Sequence, residues 1–275
     1  MKTAFKLPPG LYFDPLFLTL EERTEIVQWL ETLHPIWEQR YSKHNPPPPG
    51  ESQRWLLRPV YWLGNWQFAC LNYYHPPKGT EFRCVKAEPY PAVLQRVVKK
   101  MENLAVQSFP RDFIPAGWKL NTCLVNMYGS QLNDGKKEDT ARVGEHKDFE
   151  PGPVASLSLG ERAIFQFVSS SSRDHKAKVV EQQWLTDGSL QMFAGRRWKD
   201  ELFHRVQRVD TIQGYQFKIQ VENFEVRRVN FTFRYVPEKH IYPLKALPKE
   251  KVEDIRPYLE ILARNSSYYR SLLNQ

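Results

Sequence analysis

Residues 228–234 read Arg-Val-Asn-Phe-Thr-Phe-Arg, polar and apolar side chains alternating without a break. A period of two belongs to a β-strand. Val229, Phe231 and Phe233 therefore share one face, and Arg228, Asn230, Thr232 and Arg234 share the other. Two settings suit such a strand. It is an edge strand whose polar face meets water, or its arginines point into a barrel. In the second case burying guanidinium groups is costly unless an anion faces them. A dicarboxylate suits that position, because guanidinium grips carboxylate through two parallel N–H bonds.

The segments around this one repeat the theme. Leu120–Met127, Val154–Leu159, Ala163–Val168, Ser189–Phe193, Tyr215–Val221 and Val226–Val236 all read as short strands, with Gly, Pro and Asp between them. That spacing predicts a β-sandwich or barrel over 119–236. Upstream, Thr19-x-x-Glu22 is a capping box, and Ile26, Leu30 and Leu33 lie on one face of a helix ending near His34. Asn45–Gly50 is a Pro-rich loop, and 54–90 is aromatic and irregular. A second helix starts at Pro91 and carries Leu94, Val97, Val98, Met101 and Ala105 as its apolar stripe. The tail from Lys249 to Gln275 reads as helical, broken at Pro257. Three regions result: 1–118, 119–236 and 237–275.

Composition narrows the class. Eight Trp, thirteen Tyr and sixteen Phe provide ample core, which excludes a disordered chain. No apolar run is long enough to span a membrane, and the first residues lack the apolar stretch of a secretory signal. Cys70, Cys84 and Cys123 have no metal-ligand spacing and read as reduced, buried thiols. The expectation is a soluble intracellular monomer, in the cytoplasm or nucleoid, or in the nucleus of a eukaryote. The formal charge of +8 permits an anionic partner, although the basic residues are dispersed and a merely basic surface would look the same.

Chemistry concentrates at His146-x-Asp148, whose side chains share a face if the segment is a strand. Alone that pair is weak. With His204, in Leu202-Phe203-His204-Arg205-Val206, it supplies two histidines and a carboxylate, the ligand set of non-haem Fe(II) oxygenases.

In order, Asn126-x-Tyr128, His146-x-Asp148, Val154–Gly160, Phe165-x-Phe167, Gly188-Ser189-Leu190, His204 and Arg228-x-Asn230-x-Thr232-x-Arg234 resemble the AlkB family of Fe(II)- and 2-oxoglutarate-dependent dioxygenases. The last motif is the most specific. The resemblance implies an α+β fold: a double-stranded β-helix (jelly-roll, cupin-like) core with N-terminal helices and a C-terminal helical extension. It implies that His146, Asp148 and His204 bind Fe(II). Arg228 would pair with the distal carboxylate of 2-oxoglutarate, helped by Tyr128 and Asn230, while Asn126 and Arg234 sit toward the iron. With O₂, such enzymes hydroxylate an N-methyl group, which then leaves as formaldehyde beside succinate and CO₂.

For the substrate, the resemblance points to the nucleic-acid-repair members, acting on 1-methyladenine or 3-methylcytosine in DNA or RNA. Glu150 stands where those enzymes read the polar edge of a flipped base, although a solvated loop carboxylate would look the same. Trp62, Trp66, Tyr73 and Tyr74 fall in the region of the family's nucleotide-recognition lid, with Trp66 and Tyr73 the leading pair for stacking, although ordinary core packing is the commoner place for any one of them. The chain departs from the pattern in the charged insertion Ser130–Arg142, in Phe149, and in the extension 238–275. A modified tRNA or a methylated protein is the alternative substrate, and a non-catalytic binding module is the alternative class.

Overall fold

A computed structural model describes residues 7–71, 84–133, 135–140, 142–170, 177–207 and 214–274. Fourteen strands appear among the described residues: β1 (Leu11–Asp14), β2 (Val60–Leu63), β3 (Asn65–Gln67), β4 (Cys84–Lys86), β5 (Thr122–Asn133), β6 (Lys136–Asp139), β7 (Val143–His146), β8 (Val154–Gly160), β9 (Ala163–Val168), β10 (Val179–Leu185), β11 (Ser189–Phe193), β12 (Phe203–Gln207), β13 (Phe224–Arg234) and β14 (Ile241–Tyr242). The helices are α1 (Leu20–Leu30), α2 (Ala92–Ser108), α3 (Lys249–Ala263) and α4 (Ser267–Leu273).

The strands form a major sheet, ordered β1-β11-β8-β13-β5-β2 with β6 beyond β5, a minor sheet, β10-β9-β12-β7, and a small outer sheet, β14-β4-β3. Val154 and Phe193 of the major sheet pack with Phe165 and Phe167 of the minor sheet in one apolar cluster, so the two sheets face each other as a jelly roll. The other face of the major sheet, carrying Val229, Phe231 and Phe233, shares a core with Ile26 and Leu30 of α1 and Val97 and Met101 of α2. The alternation of 228–234 thus sorts one strand between two compartments. Its apolar side meets the helices and its polar side faces the interior of the roll.

That strand is central, paired with β5 on one side and β8 on the other, which rules out the edge-strand setting. The same pairing explains why Tyr215–Val221 is not a strand. β5 runs along one edge of β13 and β8 along the other from Arg228 onward, so only the short stretch before Arg228 is open, and there a single bridge, Phe217 to Val226, forms. Phe217 instead packs beneath Gly160, whose φ of +83° ends β8 where an added Cβ would lie 2.6 Å from the Phe217 ring.

The capping box at Thr19 and Glu22 forms with both of its hydrogen bonds, and Pro91 caps α2 rather than starting it. Pro257 does not break the tail: α3 runs through it, and the break falls at 264–266. Pro257 lies on the exposed side of α3, where water can take the carbonyl that the missing N–H leaves over. The sheets also reach beyond the expected core, since β1 pairs β11 and β2 pairs β5. Within the charged insertion, β5 and β6 pair antiparallel, and Arg227 ties them down through Asp139 (3.1 Å) and Ser130. All three cysteines are buried and unpaired. Among the described residues, no helix is long and apolar enough to cross a membrane.

Candidate active site

β12 lies between β9 and β7, and its register sets His204 directly opposite His146. Asp148 follows two residues past His146, just beyond the end of β7. The imidazole centroids are 4.2 Å apart, and Asp148 Oδ2 lies 3.2 Å from His204 Nε2. One ligand atom from each of the three residues falls within 4.8 Å of the others.

The surroundings prepare these groups for a cation. Burial, and then His204, push His146 down to about 3, so its ring is neutral at physiological pH. Its Nδ1 engages the Gly144 carbonyl at 2.9 Å, which leaves Nε2 for a metal. Burial alone would raise Asp148, but Arg234 and His204 outweigh it and hold the carboxyl well below its ordinary range. Arg234 donates through Nε to Asp148 Oδ1 at 2.7 Å, so Oδ2 is the oxygen left beside His204.

Beside this centre β13 carries a buried guanidinium. Asn230 Oδ1 accepts from Ser156, Ser158 and Arg228 Nη2 at 2.9–3.0 Å, locking the guanidinium in place. Arg228 is 2% exposed, and its Nε and Nη1 are buried with no acceptor among the described residues. A buried guanidinium with two open donors suits the distal carboxylate of a dicarboxylic acid. The Arg228 guanidinium also lies 4.9 Å from the Tyr128 ring centroid.

Above the triad opens a cleft of about 1290 Å³, lined near its floor by Asn126, Tyr128, Asn230 and Arg234. A family model described as the 2OG-Fe(II) oxygenase superfamily matches residues 10–234. The chain belongs to that superfamily. As a 2OG-Fe(II) oxygenase it is a dioxygenase that uses Fe(II), 2-oxoglutarate and O₂, and the donor set of the triad and the open donors of Arg228 fit the first two. A solved structure titled "The structure of OsALKBH1" aligns with 84% of this chain and 100% of that one, at a TM-score of 0.50 and 19% identity, which shows a shared AlkB-type fold. No curated protein matches the chain.

Of the residues expected to read the substrate, Trp62, Trp66 and Glu150 lie away from the cleft lining. Trp66 is 1% exposed and stacks on Phe68. Its indole and that of Trp62 both donate to Glu38 Oε1, at 2.8 and 2.7 Å. A buried carboxylate has drawn both rings into the core, so neither can stack on a base. Glu150 is also buried and does not line the cleft. It lies 3.6 Å from Arg234 Nε, accepts from Gln67 at 3.1 Å, and has its backbone carbonyl bound by the Lys199 ammonium. Burial raises its pKa. Tyr73 and Tyr74 lie outside the described residues.

The outer wall consists of residues the sequence did not single out: Trp37, Arg40, Arg54, Trp55, Leu57 and Arg58. Trp55 is 54% and Leu57 60% exposed, beside buried Leu56. The one local signal was large apolar residues interleaved with arginine in 54–58. Their nearness to the triad comes from the pairing of β2 with β5, which no local pattern encodes.

Proposed function

We propose that this oxygenase demethylates N-alkylated bases of the 1-methyladenine and 3-methylcytosine type in DNA or RNA, releasing formaldehyde, succinate and CO₂. The observation that carries the reading is the mouth of the cleft, whose lining includes Arg40, Arg54, Arg58 and Lys147 together with Trp55, which is 54% exposed. A flipped nucleotide needs a flat apolar surface for its base and cations for its phosphates. A small neutral substrate would need neither.

In this reading His146, Asp148 and His204 hold Fe(II), which with 2-oxoglutarate and O₂ supplies the oxidising power for attack on an N-methyl group. Arg228, Tyr128 and Asn230 bind the distal carboxylate of the oxo acid, and Asn126 stands toward its other end. Arg234 keeps Asp148 ionised and turned, and Glu150 holds Arg234 rather than reading the base. Residues 1–118 provide the substrate side of the cleft, 119–236 the oxygenase core, and 237–275 a brace.

The test incubates the protein with Fe(II), ascorbate, 2-oxoglutarate and a single-stranded oligonucleotide carrying one 1-methyladenine, with His146→Ala alongside. Mass spectrometry should show loss of one methyl group with the wild type alone. An unchanged oligonucleotide while 2-oxoglutarate still turns over would move the substrate to another class, such as a modified tRNA or a methylated protein.

A further inference from the structure

Arg58 sits between the outer wall and the buried Arg228 guanidinium. Its neighbour Pro59 accepts the Met127 N–H at 3.1 Å, and Val60 pairs opposite Asn126. Arg58 is therefore anchored to the strand that carries Asn126 and Tyr128. Its Nε donates to Asn126 Oδ1 at 2.6 Å, and its guanidinium lies 5.4 Å from the Tyr128 ring centroid. A side-chain amide offers one accepting and one donating end. With Oδ1 held by a charge-assisted bond, the Asn126 amide is fixed so that Nδ2 is the end left for an anion. The bond Nδ2 makes within the protein is long, 3.4 Å to the Leu124 carbonyl.

We infer that Arg58 is a positioning residue for the oxo acid: it holds the Asn126 amide with its NH₂ toward the carboxylate. This rests on the assignment of 2-oxoglutarate to the Arg228 pocket and adds a member to that site from outside the β5–β13 pair.

The experiment titrates the Fe(II)-loaded, oxygen-free enzyme with 2-oxoglutarate and follows the visible charge-transfer absorption of the chelate, so the readout is binding rather than turnover. Arg58→Gln should raise the dissociation constant about tenfold, and Arg58→Lys should recover most of that loss. On an Asn126→Ala background, Arg58→Gln should add less than about a twofold effect. Binding unchanged by Arg58→Gln overturns the inference, as does a full further loss on the Asn126→Ala background. Arg228→Gln, measured in parallel, separates the two levels. If Arg228→Gln weakens binding and Arg58→Gln does not, the Arg58 role alone fails. If neither does, the pocket assignment falls with it. Should Arg58→Gln fail to fold by calorimetry, Arg58→Lys and Asn126→Ala carry the comparison, and a lysine variant as weak as Asn126→Ala overturns the inference.

Discussion

At the scale of single residues, two buried carboxylates set opposite demands. Asp148 is kept ionised by Arg234, and removing that partner would leave a buried charge one strong hydrogen bond short. Arg234→Leu should therefore weaken metal binding by roughly 10–100-fold, measured by titrating the apoprotein with Co(II) and following its absorption. An unaltered affinity would mean that Arg234 does not orient the aspartate. Glu38 is the reverse case. Burial raises it to about 7, although Ala69 N–H and the Trp62 and Trp66 indoles donate to it. Its folded pKa is thus above its unfolded value. The stability it contributes is fully present below about pH 4.5 and is lost as pH rises through about 7. Glu38→Gln removes that titration, so the stability of the wild type relative to the variant should improve by about 3 kcal/mol between pH 8 and pH 4.5. Chemical unfolding at the two pH values measures it, and a pH-independent difference would show that Glu38 is already ionised in the fold.

Among elements, what was legible in the sequence was whatever a local period or cap announces. The alternation of 228–234, the capping box at Thr19 and the stripe of α2 all report nearest-neighbour physics, and each formed as read. The candidate metal ligands were legible because two histidines and an aspartate stand in a fixed order, at the end of β7, just beyond it and on β12. The elements misread are those whose state depends on a distant partner. Tyr215–Val221 alternates like a strand but finds only the short end of β13 open, and Pro257 looks like a breaker but faces water. Trp66 looks like a base-stacking ring but is claimed by Glu38, distant in the sequence. The C-terminal helices had no motif, yet α3 grips the segment that leads into the cleft wall. Asp254 accepts from Ser42 Oγ at 2.6 Å and lies 2.9 Å from His44 Nδ1, while Tyr258 OH accepts from Gln39 N at 3.0 Å. Asp254→Ala should cost about 2 kcal/mol by leaving those groups without their acceptor. It should also speed amide exchange across 39–45 while leaving that of β8 and β13 unchanged. Exchange that rises evenly through the fold would show that α3 supports the whole domain and not this segment.

For the whole molecule, a net charge of +8 matters only through where it collects. The triad neutralises most of its own charge, since Asp148 is paired to Arg234, and Glu145 at the cleft is paired to Arg205 at 2.8 Å. Basic side chains also line the mouth, on Arg40, Arg54, Arg58 and Lys147, although Arg54 lies 3.5 Å from Glu51 and Arg58 donates to Asn126. If nucleic acid enters there, its affinity must fall with salt, because each phosphate contact releases condensed counterions. For a single strand, log K should drop against log salt with a slope near −0.7 per contact. Replacing Arg40 and Arg54 together with serine should flatten that slope by about 1.4 if each meets one phosphate. Trp55→Ala should instead lower the affinity at every salt concentration and leave the slope in place, because stacking releases no ions. Fluorescence anisotropy with a labelled single-stranded oligonucleotide at several salt concentrations distinguishes the two effects. A slope untouched by the double substitution would mean that the phosphates run over another face. A slope flattened equally by Trp55→Ala would mean that the ring positions the strand against the arginines, not that it holds a base.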